Sequence, residues 1–144
     1  MRIYLASSWR NAYQPTLVTA LRREGYDVYD FRHPAPGNEG FQWAAIDPHW
    51  QTWTPAQYQA ALEAPLAALG YAQDKLALDR ADVTILLLPC GRSAHLELGY
   101  AIGRGQHTAI LMREPMEAEL MYKMAERICL STEELFSWLA ALPV

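Results

Sequence analysis

The run Val83-Thr84-Ile85-Leu86-Leu87-Leu88 restricts the folds open to this chain more than any other stretch. It is rich in β-branched and aliphatic residues and stops at Pro89, the pattern of a strand buried on both faces. Gly91-Arg92-Ser93-Ala94-His95-Leu96-Glu97-Leu98-Gly99-Tyr100-Ala101 follows and reads as a helix, with small residues where it must lie close to a sheet. A sheltered strand leading directly into a helix belongs to a parallel α/β sheet. Such sheets bind ligands outside the carboxyl ends of their strands. Glu97, in the opening turns of this helix, is therefore the first candidate for chemistry.

The same alternation runs along the whole chain. Arg2-Ile3-Tyr4-Leu5-Ala6 reads as a first strand that leaves through Ser7-Ser8-Trp9-Arg10-Asn11. Pro15 suits a helix start, Leu17, Val18 and Leu21 supply its apolar stripe, and Gly25 closes it. Residues 26–31 read as a second strand. Residues 32–54 are irregular, punctuated by proline and glycine and studded with Trp43, Trp50 and Trp53, which suggests a functional loop or lid. Thr54-Pro55 opens a helical stretch running to about Arg80, with a break expected near Pro65 and Gly70. His107-Thr108-Ala109-Ile110-Leu111 reads as a fourth strand, residues 116–126 as a helix and residues 127–130 as a fifth strand. Ser131 with Glu134 forms the capping box of a last helix.

These elements predict a single α/β domain over residues 1–144. Its expected form is a flavodoxin-like or Rossmann-like doubly wound sheet of about five mostly parallel strands, order 2-1-3-4-5, with helices on both faces. That order places a switch point between the first and third strands. The loop at residues 7–11 then neighbours the turn at residues 91–97.

Composition narrows the partners. Twelve basic residues against sixteen acidic ones leave a net charge of −4, which argues against a nucleic acid polymer as ligand. A single nucleotide needs only one or two arginines and a helix amino terminus. Cys90 and Cys129 have no metal-ligand spacing, and His33 and His49 have none either, so no metal or other cofactor is expected. No apolar run approaches the roughly 18 residues of a membrane span, and the amino terminus runs straight into a strand. The cytoplasm is the expected compartment.

A carboxylate near a helix amino terminus stays ionised, because the dipole and free N–H groups favour negative charge. An ionised Glu97 can attack an electrophilic carbon such as a sugar C1′. The plainer alternative is an acid that serves only the helix dipole. Gly91, Arg92 and Ser93 offer N–H groups, a guanidinium and a hydroxyl to a phosphate or a sugar, though the same residues also make an ordinary helix cap. Trp9, Phe41, Trp43, Trp50 and Trp53 can stack on a base or simply pack. His95 reads as a helix surface residue, and Gly99 and Tyr100 as packing. Asp79 and Asp82 end the preceding helix at the surface, while Asp74 faces another azimuth that leaves its reach toward the site open.

Taken together, these segments resemble the nucleoside 2-deoxyribosyltransferase family and its relatives that hydrolyse deoxynucleoside 5′-phosphates. Three stretches carry the likeness: Ile3-Tyr4-Leu5-Ala6-Ser7-Ser8-Trp9, Gly70-Tyr71-Ala72-Gln73-Asp74 through Ala81-Asp82, and His95-Leu96-Glu97-Leu98-Gly99-Tyr100-Ala101. The resemblance implies that Glu97 attacks C1′ and holds a glycosyl intermediate. Asp74 would protonate or orient the base, and Tyr4 would hold the nucleophile by a hydrogen bond. Ser7, Ser8, Trp9, Gly91, Arg92 and Ser93 would line the substrate site. It also implies a homo-oligomer, a dimer or larger. The family's acid or serine six positions before the glutamate is replaced by Gly91, and Arg92 inclines the reading toward a 5′-phosphorylated substrate. A non-catalytic nucleotide-binding module and an enzyme cleaving the nicotinamide–ribose bond are the alternatives.

Overall fold

The computed structural model describes residues 1–143. Its strands are β1 (Arg2–Ala6), β2 (Asp27–Tyr29), β3 (Val83–Leu87), β4 (His107–Leu111) and β5 (Arg127–Cys129). The helices are α1 (Gln14–Arg23), α2 (Pro55–Ala61), α3 (Pro65–Arg80), α4 (Arg92–Gly103) and α5 (Thr132–Ala141). All strand pairs are parallel, and the sheet order is β2-β1-β3-β4-β5, the flavodoxin-like arrangement expected from the sequence. Contacts divide the chain into two compact units, Met1–Tyr29 with the chain from Leu78 onward, and Asp30–Ala77.

In the first unit the strands present different chemistry to their two sides, because successive side chains point to opposite faces. Ile3, Leu5, Val83, Ile85, Leu87, Ala109 and Leu111 join Leu17, Val18 and Leu21 of α1 and Leu135 and Leu139 of α5 in one apolar core. The intervening residues face α4. Tyr4 lies beside Tyr29 on one flank and Thr84 on the other, and Thr84 lies beside Thr108. Ala94, Leu98 and Ala101 are the buried residues of α4. Gly99 is exposed, with open space where a Cβ would stand, so the alanines and not this glycine allow the close helix–sheet approach.

Local chemistry sets the element ends. Pro15 starts α1, and Gly25 takes φ of 90° just past its end, where a left-handed residue costs glycine nothing. In the second unit Thr54 accepts the Gln57 N–H and Gln57 returns the bond, giving α2 a full capping box. Ser131 accepts the Glu134 N–H at 3.1 Å, but the Glu134 carboxylate accepts from Leu130 at 2.8 Å instead of closing the box on Ser131.

Several sequence expectations need correction. The break before α3 falls ahead of Pro65 alone, and Gly70 lies inside the helix. Its missing Cβ admits Phe41, whose own Cβ would stand 2.8 Å from an added one. Strand β2 ends at Tyr29, short of residue 31, and hydrogen-bonds to β1 on one side only. Residues 116–126 hold a single 3₁₀ turn, Leu120–Met124, where a helix was expected. The helical spacing of Met116, Leu120 and Met124 is present, but all three are exposed. A short helix needs a buried face to offset its nucleation cost, and this segment has none. The tryptophan-rich stretch forms two 3₁₀ turns, Trp43–Ala45 and Trp50–Thr52. Trp43 meets Phe41, Trp53 and Tyr58 edge-on, and the Trp53 indole N–H donates to Asp47 at 2.7 Å. Phe41 and Trp53 thus both pack on Trp43.

Candidate active site

The carboxyl ends of β1 and β3 are stitched together by side chains. Ser7 donates its hydroxyl to the Leu87 carbonyl at 3.0 Å, and the Asn11 amide donates to the Pro89 carbonyl at 3.1 Å. Asn11 also accepts the Tyr13 and Gln14 N–H groups, so one buried side chain both opens α1 and ties the two loops. Sequence reasoning placed Asn11 in the exit loop without giving it this work. The signal was there, since an asparagine two to three residues before a helix commonly caps it.

Glu97 lies on α4 and reaches the sheet. Its carboxylate accepts a hydrogen bond from the Tyr4 hydroxyl, joining the middle of β1 to the second turn of α4. Tyr4 is buried and Glu97 half-buried. No acidic residue lies in the first turn of α4, because Glu97 is the sixth residue of that helix. The dipole's influence fades within a turn, so it does not keep this carboxyl ionised. Burial dominates instead and pushes Glu97 up to about 7. This corrects the expectation of a permanently charged group. At neutral pH the residue stands close to half-ionised.

Around the helix start, Gly91, Arg92 and Ser93 are all exposed, and Gly91 forms the cap with no side-chain bond. A Cβ on Gly91 would meet open space. Ser8 accepts the Arg10 N–H at 3.1 Å within the β1 exit loop, and Trp9 is exposed. Asp74 stands on α3, in the second unit, and is half-buried. Asp79 and Asp82 have structural partners. Asp79 accepts the Tyr100 hydroxyl at 2.5 Å, and Asp82 takes both the backbone and the guanidinium of Arg2. The Arg2 hydrogen bonds hold Asp82 below the usual carboxylate range.

His95 is more than a surface residue. Nδ1 meets the Gly91 carbonyl at 2.7 Å and Nε2 meets the Tyr122 hydroxyl at 2.7 Å, with the two rings stacked. A carbonyl only accepts, so Nδ1 carries a proton, and Nε2 shares a hydrogen bond with the Tyr122 hydroxyl. Cys90 lies 3.8 Å from the same ring, and burial pushes its thiol up to about 12, leaving it neutral. Among the described residues no cluster of three or more potential metal ligands exists, and no helix is long and apolar enough to cross a membrane.

No protein-family model matches the sequence, and no curated protein matches it. Comparison of the structure finds proteins of similar fold. A 2-deoxyribosyltransferase from the psychrotolerant bacterium Bacillus psychrosaccharolyticus superposes with a TM-score of 0.66 at 16% identity, covering 100% of this chain and 97% of that one. The chain has the fold of this transferase. A conserved protein from Enterococcus faecalis superposes with a TM-score of 0.59 at 15% identity, covering 95% of each chain. The CMP N-glycosidase BcmB of Clostridium botulinum gives 0.53 at 15% identity, covering 97% of this chain and 99% of its own. Each match spans nearly the full length of both chains.

Proposed function

We propose that this protein is an enzyme that cleaves the N-glycosidic bond of a nucleoside or nucleotide, with Glu97 as nucleophile. The observation that carries the reading is the bond from buried Tyr4 to the Glu97 carboxylate, and the side-chain bonds that join the exits of β1 and β3 support it. A fold shared with a deoxyribosyltransferase and a CMP N-glycosidase supports the same class of chemistry. In this reading the ionised carboxylate attacks C1′ from the side opposite the base. The C1′–O bond forms as the C1′–N bond breaks, and the base departs with a proton. Another base or water then attacks C1′ and frees the carboxylate, so one hard displacement becomes two easier ones.

Tyr4 stabilises the charged form of Glu97 by its hydrogen bond and fixes the direction of attack. Partial burial keeps the carboxylate poorly solvated and hence reactive once ionised. Asp74 protonates or orients the leaving base. Ser7, Ser8, Trp9, Gly91, Arg92 and Ser93 contact the sugar and its 5′ substituent, with Arg92 facing a phosphate. We further propose a single functional domain with residues 32–54 as lid, working as a cytoplasmic homo-oligomer without a cofactor. The test is a panel of nucleosides, nucleoside 5′-phosphates and NAD, with and without an acceptor base, read as free base by chromatography. Glu97→Ala is expected to lower base release about a thousandfold or more. Undiminished release by that variant would overturn the reading.

A further inference from the structure

The contact that aims Glu97 depends on a ring, and the ring has a neighbour that the mechanism does not use. Tyr4 projects from the middle of β1, and its hydroxyl lies at the far end of a side chain with two rotatable bonds. Deviations of roughly 10–20° are enough to take such a group out of productive geometry. On the β3 side Tyr4 is flanked by Thr84, a small residue whose hydroxyl is turned to Gln106 at 2.8 Å. Thr84 is too short to fix an aromatic plane. On the β2 side Tyr4 is in register with Tyr29, and the two rings stack with centroids 5.4 Å apart and planes 16° from parallel. Tyr29 is the last residue of a three-residue edge strand, so this stack is set on the lip of the sheet.

We propose that Tyr29 is a positioning residue that clamps the Tyr4 ring against lateral tilt and so keeps the Tyr4 hydroxyl on the Glu97 carboxylate. The inference rests on Glu97 being the reacting group. Its geometric part, ring against ring against carboxylate, stands apart from any activity. Nothing in the stack requires the Tyr29 hydroxyl to act on Tyr4, so the plane of the ring is what matters. Removing that plane leaves a gap beside Tyr4 into which its ring can lean. The hydroxyl then leaves Glu97, and the carboxylate loses the donor that favours its charged form. His95, the nearest titratable neighbour along α4, is engaged by Gly91 and Tyr122.

The experiment compares Tyr29→Leu and Tyr29→Phe, with Tyr29→Val in reserve should the leucine variant not fold. One arm follows the Glu97 carboxyl carbon by NMR titration of protein labelled in glutamate, the signal being assigned by its loss in Glu97→Gln. The leucine variant is expected to titrate about half a pH unit or more above the wild-type protein, and the phenylalanine variant at the wild-type value. The second arm measures base release. The leucine variant is expected to lose about 10- to 100-fold in kcat with KM nearly unchanged, and phenylalanine to restore it. An unchanged Glu97 titration in the leucine variant overturns the proposal, as does a phenylalanine variant equally impaired. If the wild-type protein releases no base from any substrate, the reading of Glu97 as nucleophile fails, while the titration still decides the role of Tyr29.

Discussion

The two faces of one sheet are built from the same strands to opposite ends. On the side of α1 and α5, Ile3, Leu5, Val83, Ile85 and Leu87 form a continuous apolar layer. On the side of α4, one residue further along each strand, stand Tyr4 and Thr84, with Thr108 beyond, all buried and all bearing a hydroxyl. Each hydroxyl has work. Tyr4 binds Glu97, Thr84 binds Gln106, and Thr108 accepts the Glu126 N–H at 3.2 Å. A buried polar group left without a partner would cost about 1–3 kcal/mol, so this face is specified by its bonds and the other by its packing. The first face holds the fold, and the second holds the Tyr4–Glu97 bond.

This division can be broken by substitution. Leu5→Ala on the apolar face should lose about 2–5 kcal/mol of stability, read by denaturant unfolding, while kcat per folded molecule stays at the wild-type value. A fall in kcat to match would mean that the faces are not separable.

The next effect is a pH dependence. Glu97 is pushed up to about 7 in the folded state by burial, above its ordinary value of 4.5. Between those values the folded protein holds a proton that the unfolded chain releases. Stability from this group is therefore greatest below the lower value and falls as pH rises toward 7. Glu97→Gln, which keeps the shape of the protonated form, should gain on the wild-type protein by about 2–3 kcal/mol between pH 4.5 and pH 8 in thermal melts. A constant gap across that range would contradict the burial of the carboxyl.

Tyr4→Phe is the smallest of the three. It should reduce kcat about tenfold and move the acid limb of the rate profile upward, because the donor that favours the charged carboxylate is gone. If the limb stays in place, Tyr4 serves packing alone.

How much of this was legible beforehand follows from the same contrast. Apolar runs rich in β-branched and aliphatic residues and breakers such as Pro15, Gly25 and Pro89 are local signals, so strands β1, β3 and β4 could be read from residue types, and the sheet order followed from the alternation of five strands with helices. The pairing of Tyr4 with Glu97 was available through resemblance, since the two lie 93 positions apart in sequence. The ionisation of Glu97 was misjudged because the dipole argument depends on helix position while burial depends on what covers the group. The helix expected at residues 116–126 had the right spacing and lacked a surface to cover its apolar side. Asn11, Tyr29 and His95 each work through a partner that spacing does not reveal, Tyr29 across the sheet and His95 on a turn 27 residues away.

The central claim is a covalent bond to one residue, and a mass spectrum reads it directly. The protein is incubated with a 2′-fluoro-2′-deoxynucleoside, whose fluorine slows release of the sugar, and its intact mass is measured. The account predicts a gain of one fluorosugar, located by peptide mapping to the segment carrying Glu97 and absent from Glu97→Gln. Base released at full rate with no adduct on the protein, and equally by Glu97→Gln, would contradict it.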